Sequence, residues 1–420
     1  VLNALRSAAE AVGGVIAGRN LSVALEAAEE QSGYQTPERA ATRALAFGTL
    51  RHLGFLRFAV ARLTPRTPKD VRLRALLYVA IHQLEYSKQA PYAIVDQAVE
   101  CAGLLAGAAK KPFVNAVLRS YQRRVHEIRA AAALDPEAHW SHPRWWIERL
   151  QSELGEAARS VLELANRHPP MTLRVNRRRL SVDSYLAQLR AAGMPAAVIG
   201  PSAVRLVQPV PVAMLPGFDR GEVSVQDAGA QRAAPLLDVV DGMRVLDACA
   251  APGGKTAHLL ELADLRLLAL ERDPLRAARV EQNLNRLGLG ARVQVADAAQ
   301  LDEWWDDVVF DRVLLDAPCS ASGVVRRHPD ARWLRRPSDI ATVAREQKRL
   351  LDALWQVVRP GGKLLYVTCS IFREENQTQI EGFLARHPEA RLLPLGPGES
   401  ALLLPTEEHD GFYHALVEKT

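Results

Sequence analysis

Residues 243 to 256 read Met-Arg-Val-Leu-Asp-Ala-Cys-Ala-Ala-Pro-Gly-Gly-Lys-Thr. An apolar run ends at Asp247, small residues follow, and a helical pattern starts at about Lys255 with Ala257, Leu259, Leu260 and Leu262. Strand, small-residue turn and helix form the entry to a nucleotide-type site in an α/β sheet. Gly253 and Gly254 allow close backbone approach and positive φ. A Walker A loop needs glycine where Cys249 stands, and the Gly-x-Gly-x-x-Gly fingerprint is absent. The turn therefore suits a ligand without a pyrophosphate, such as S-adenosylmethionine.

Working outward, residues 265 to 270 form a second apolar run that ends at Glu271. An acid about twenty residues past the first turn sits where a ribose diol is bound. A helix over 274 to 287, Gly288, and a strand over 291 to 296 ending at Asp297 come next. Asp297 is placed to accept an adenine amino group. A further strand, 312 to 315, ends at Asp316. A lone acid at a strand end is usually a helix cap; four at successive strand ends (247, 271, 297, 316) form a pattern.

Two cysteines continue it. Cys319 follows Leu-Leu-Asp-Ala-Pro, and Cys369 follows Leu-Leu-Tyr-Val-Thr. Both lie just past the carboxyl ends of predicted buried strands, the edge where open α/β sheets bind ligands. Thiolates at such a place suggest covalent chemistry; buried small hydrophobes are the alternative. Spacing alone leaves open which of the two attacks. Cys101 lies in an apolar helical stretch and reads as core, while Cys249 belongs to the loop. No Cys-x-x-Cys pair is present, so no metal is expected.

Asp-Ala-Cys-Ala-Ala-Pro-Gly-Gly-Lys-Thr, Asp-Ala-Pro-Cys-Ser, and Thr-Cys-Ser with Glu374-Glu375-Asn376 resemble the signature of RNA cytosine-C5 methyltransferases. The likeness extends through 322–330 and 360–366. Residues 44–51, 111–119, 173–176 and 223–227 are similar to the RsmB (Fmu/Sun) family of bacterial 16S rRNA enzymes. The resemblance implies an α/β fold. A Rossmann-like class I methyltransferase domain with a mostly parallel seven-stranded sheet would occupy 221–420. An all-α NusB-like RNA-binding domain (1–135) and a small α/β RNA-binding segment (136–220) would precede it.

The resemblance also implies roles. Cys369 would be the nucleophile, adding to cytosine C6 so that C5 can take the methyl group. Cys319 would help to resolve the adduct, and Asp316 would hold the cytosine N4 amino group or N3. Cys249, Ala250, Ala251, Pro252, Gly253, Gly254 and Lys255 would line the S-adenosylmethionine site with Glu271, Asp297 and Asp316. Lys255 would supply positive charge or shape the loop; a solvent-facing lysine is the alternative. The ribose acid is commonly Asp in this family and is Glu271 here, with Arg276 expected to brace the segment around Asp273.

At 420 residues the chain should hold two or three domains. It has no run of about eighteen uncharged apolar residues and no signal-peptide layout, so no membrane partner is expected. Cysteines wanted as thiols imply the reducing cytoplasm. Net charge is +5, which by itself identifies no partner. Two arginine clusters say more: Arg174, Arg177, Arg178 and Arg179, and Arg326, Arg327, Arg332, Arg335 and Arg336. They are expected to meet 16S rRNA phosphates, with Trp333 stacking on a base or packing. The working expectation is a monomeric 16S rRNA methyltransferase. A catalytically silent ribosome-assembly factor and the same chemistry on tRNA are the alternatives.

The first 130 or so residues read as helical. Leu73, Leu76, Leu77, Ala80, Ile81 and Leu84 recur on one face. Strands at 171–175 and 203–207 flank a helix at 182–192, and edge strands are expected near 391–395 and 412–417.

Overall fold

In the computed structural model, residues 2–30, 36–396 and 400–420 are described. The chain divides into two compact units, Val1–His168 with Val325–Arg336, and Pro169–Val324 with Pro337–Thr420.

The first unit is helical. Its central helix, Val71–Tyr86, begins where the Asp70 carboxylate accepts the N–H groups of Arg72 and Leu73. Leu73, Leu76, Leu77, Ala80 and Ile81 are buried on one core, with Leu84 packed against it. Cys101 lies in the same core, where burial pushes its thiol up to about 12. The helices at 136–140, 144–154 and 157–165 also belong here, so the helical unit runs past residue 135 to His168.

Residues 325–336 return to this unit and correct one expectation. Arg326 and Arg332 are buried rather than presented to phosphates. Trp333 packs against the helical core, donates its Nε1–H to the Leu50 carbonyl at 2.8 Å, and carries the Arg57 guanidinium over its ring. Packing, not base stacking, is its role here.

The second unit holds two sheets. The small one contains β1 (Thr172–Val175), β2 (Ala196–Val198), β3 (Ala203–Leu206) and β4 (Val223–Val225). They run antiparallel in the order β2-β3-β1-β4. The helix Val182–Ala191 starts at Ser181, whose hydroxyl accepts the Ser184 N–H.

The large sheet is built from β5 (Arg244–Ala248), β6 (Arg266–Glu271), β7 (Arg292–Val295), β8 (Phe310–Asp316), β9 (Val358–Thr368), β10 (Ala390–Leu393), β11 (Leu402–Leu403) and β12 (Phe412–Lys419). Its order is β10-β12-β9-β8-β5-β6-β7, with β11 beside β12. Pairs from β9 to β7 are parallel, and β12 is antiparallel to β9 and β10. Alternate residues feed two cores. Leu246, Val313, Leu315 and Tyr366 face one, and Val245, Leu314, Leu365 and Val367 face the other. Burial on both faces explains why these strands read as continuous apolar runs. Because β8 and β6 both flank β5, their carboxyl ends bring Asp316, Asp247 and Glu271 to one edge.

Candidate active site

The turn after β5 is held from several sides. Cys249 has a positive φ of 64° and Gly253 one of 94°. A Cβ at Gly253 would also lie 3.2 Å from Val280, so this position favours glycine twice over. The Ala250 N–H donates to the Leu270 carbonyl, and Asn283 donates to the Pro252 carbonyl, both at 2.8 Å. Arg276 donates to the Ala251 carbonyl at 3.3 Å and lies 3.6 Å from Glu271. It therefore braces the loop and Glu271. Asp273 instead caps the following helix through the Leu275 and Arg276 N–H groups.

Arg174 corrects a second expectation. It is buried, pairs with Glu261 through two bonds of 2.9 and 2.7 Å, and donates to the Gly254 carbonyl at 2.7 Å and to Gln226. It fixes the start of the loop helix and is not open to phosphate. Arg178 donates to Asp264 and the Glu261 carbonyl, and Arg179 to the Leu287 carbonyl.

Two acids at this edge carry unsatisfied oxygens. Asp247 is fully buried. One oxygen accepts from Thr256 at 2.6 Å, and the other has no partner among the described residues. Burial pushes its carboxyl up to about 7 against the pull of the Thr256 hydrogen bond, and the charges of Asp316 and Glu271 add to the rise. Glu271 is also buried; Oε1 accepts the Asp273 N–H, while Oε2 has no hydrogen bond among the described residues and lies 3.6 Å from Arg276. Buried unpaired acceptors cost free energy unless a ligand meets them. Asp297, just past β7, is engaged differently, because Arg349 pairs with it at 2.8 Å. Burial opposes its charge, but the Ala299 N–H and Arg349 outweigh that and hold it below the ordinary value.

The ammonium of Lys255 lies 2.6 Å from Asp316 and does not face solvent. Burial works against its charge. Asp316, Cys369 and Asp247 more than offset this, so its pKa is raised. The two sulfurs, Cys319 Sγ and Cys369 Sγ, are 3.2 Å apart. The hydrogen bond to Cys369 and burial drive the Cys319 thiol well above its ordinary value.

Glu375, quoted above only as part of a motif, ties the two cysteine loops together. It is buried and accepts the Ser320 N–H at 2.8 Å, the Ser320 and Ser370 hydroxyls, and Gln347 at 3.1 Å. Asn376 accepts the Thr368 hydroxyl and donates to the Ser370 carbonyl. Gly323 donates to the Cys369 carbonyl, completing the lacing. Nothing local in the sequence marks Glu375, because its partners stand on two loops far apart along the chain.

Lys255, Asp316, Cys319 and Cys369 thus sit in one place, with Asp247 and Glu271 on the adjoining strand ends. Among the described residues no cluster of His, Cys, Asp or Glu is arranged to hold a metal ion. No helix among them is long and apolar enough to cross a membrane.

The comparisons with known proteins cover the whole chain. A ribosomal RNA small subunit methyltransferase B of Yersinia enterocolitica is 44% identical over 99% of this chain and 98% of its own length. That of Yersinia pestis is 43% identical over the same shares. The chain belongs to the RsmB family of 16S rRNA methyltransferases. Within that family, the profile described as 16S rRNA methyltransferase RsmB/F matches residues 234–418. The ferredoxin-like domain of RsmF/B-like methyltransferases matches 142–213, and the NusB family matches 2–123. A crystal structure of PH0851 covers 100% of this chain and 99% of its own at 27% identity, with a TM-score of 0.84. A methyltransferase homolog from Pyrococcus horikoshii covers 69% of this chain at 29% identity, with a TM-score of 0.60. The matches to the NusB family and to 16S rRNA methyltransferase RsmB/F bear out the expected α/β methyltransferase domain with a NusB-like helical domain before it.

Proposed function

We propose that this RsmB-family chain transfers a methyl group from S-adenosylmethionine to C5 of a cytosine in 16S rRNA, with Cys369 as the attacking thiol. The arrangement of Lys255, Asp316, Cys319 and Cys369 is the observation that carries this reading. When bound, S-adenosylmethionine supplies a methyl carbon activated by a sulfonium.

The cofactor fit rests on this chain's own residues. Glu271 Oε2, which has the Arg276 charge at 3.6 Å but no hydrogen bond among the described residues, and Asp247 Oδ1 are buried acceptors beside the loop from Cys249 to Lys255. In this reading Glu271 takes the ribose hydroxyls, although glutamate replaces the usual aspartate, and Asp297 takes the adenine end. Asp316 takes the cytosine N4 amino group or, when protonated, N3.

Cytosine C5 is a poor nucleophile. Addition of the Cys369 thiolate to C6 forms a carbon–sulfur bond and pushes electron density onto C5. C5 would then take the methyl group that S-adenosylmethionine supplies, with the donor held by Glu271, Asp297 and the loop from Cys249 to Lys255. Lys255 stabilises the negative sulfur, since its charge and that of Cys369 favour one another.

Cys319 follows from the same geometry. Its sulfur lies 3.2 Å from that of Cys369. After methylation the C5 proton is lost to water, the C5–C6 double bond re-forms, and the C6–sulfur bond breaks so that Cys369 leaves as thiolate. A hydrogen bond from the Cys319 thiol to the departing sulfur assists that release. The substrate places this work in the cytoplasm.

The test is transfer of labelled methyl from S-adenosylmethionine to RNA of cells lacking the enzyme, with the product base mapped. The expected product is 5-methylcytosine in 16S rRNA; label on tRNA or on another base contradicts the assignment.

A further inference from the structure

The helical unit holds two guanidiniums without a counter-charge, Arg332 buried and Arg51 half-buried. Arg332 is fully buried and donates to the carbonyls of Ser141 and Ala165 and to Asn166 Oδ1, at 3.2, 2.7 and 2.7 Å. Arg51 donates to the Arg326 carbonyl at 3.0 Å. Neither has a carboxylate partner among the described residues, and the Nε of each has no acceptor. Carbonyl dipoles satisfy N–H groups but do not neutralise charge, and unneutralised buried ions are costly. Arg174, paired with Glu261, shows how the same chain balances a buried arginine elsewhere.

Beside these cations lies a cavity of about 290 Å³ whose lining includes His52, Tyr86, Arg129, His139, Ser141 and Asn166. Ser141 and Asn166 both accept from Arg332, so they connect the buried charge to the cavity wall. The wall is tightly built. Ser141 is left-handed at φ 51°, and a Cβ on Gly54 would lie 2.2 Å from the Glu137 carbonyl.

The other side of the cavity is aromatic. Tyr86 stacks on His52 with ring centroids 4.2 Å apart and an interplanar angle of 17°, and His82 closes a three-ring cluster at 5.8 Å from His52 and 5.0 Å from Tyr86. Burial, with added repulsion from Arg51 in both and from His82 and Arg332 in His52, pushes His52 down to about 3 and His82 to about 4. Both imidazoles are therefore neutral flat rings. Tyr86 touches both histidines and is 51% exposed.

We propose that this cavity receives one nucleotide of single-stranded RNA, its base stacked on Tyr86 of the stacked Tyr86–His52 pair and its phosphate in the field of Arg51 and Arg332. Aromatic stacking suits an unpaired base of any identity, and the two guanidiniums supply the charge that a phosphate needs. This rests on the reading above that RNA is the substrate.

The test uses the full chain and a labelled single-stranded oligoribonucleotide followed by fluorescence anisotropy. Tyr86→Ala should weaken binding about tenfold and raise KM for RNA with kcat kept, while Tyr86→Trp should restore both. An oligonucleotide carrying 4-thiouridine should crosslink to the peptide that contains Tyr86. Unchanged affinity in Tyr86→Ala, or crosslinks confined to other peptides, overturns the proposal. Displacement of the oligonucleotide from this site by inorganic phosphate alone, or binding of a nucleoside monophosphate with which the oligonucleotide does not compete, overturns it too. If wild type methylates RNA and Tyr86→Ala behaves identically, only this inference fails. If wild type neither binds nor methylates RNA, the function proposed above fails with it.

Discussion

The sulfurs of Cys319 and Cys369 lie 3.2 Å apart at the ends of two adjacent parallel strands. Paired strands that end together present their next residues to one cleft, so the spacing follows from the register of β8 on β9. Cys369→Ala should abolish methyl transfer while cofactor affinity, measured by calorimetry, stays near wild type. The thiol is small and the loop from Cys249 to Lys255 is fastened independently of it.

Glu375 is expected to act by positioning. Glu375→Ala leaves the Ser320 N–H, two hydroxyls and Gln347 without their acceptor. Loss of hydrogen bonds to a charged group costs about 1.5–3 kcal/mol each at most. A fall of about 2–4 kcal/mol in unfolding free energy is expected by urea denaturation. Glu375→Gln should keep most stability and lower kcat with little change in KM.

Arg174→Met should leave Glu261 buried and unpaired. Breaking such a pair costs about 3–5 kcal/mol. Because Arg174 also holds the Gly254 carbonyl, cofactor affinity should fall as well. A variant that denatures like wild type contradicts the structural role given to this arginine.

Asp247 makes stability depend on pH. Its carboxyl is raised by burial to about 7, above the ordinary value of 3.8. The protonated form is thus favoured in the fold, and its contribution is complete below about pH 4. It is lost as pH rises through about 7, by roughly 4 kcal/mol in all. Asp247→Asn should flatten that part of the stability profile, measured by denaturant unfolding from pH 4 to 8.

Much of this was legible in the sequence because the relevant strands are buried on both faces. Continuous apolar runs closed by Asp247, Glu271 and Asp316 gave the order of elements and the edge at which the acids meet. Local sequence could not show where arginines point. Arg174, Arg326 and Arg332 look like a phosphate-binding surface when counted, yet each is buried, since a guanidinium is as much a scaffold donor as a contact for RNA. The return of 325–336 to the helical unit depends on long-range packing that no short window contains. Lys255 is a similar case, because its partner Asp316 stands three strands further along the chain on a neighbour of β5.

The claim on which the rest depends is that sulfur 369 bonds to the pyrimidine. The most direct measurement is peptide mass spectrometry of Cys319→Ala after incubation with S-adenosylmethionine and a 16S rRNA fragment, under denaturing conditions. A trapped RNA adduct on the peptide carrying Cys369, lost when Cys369→Ala is added, is the expected result. Normal turnover by Cys369→Ala, or an adduct on a different residue, would contradict it.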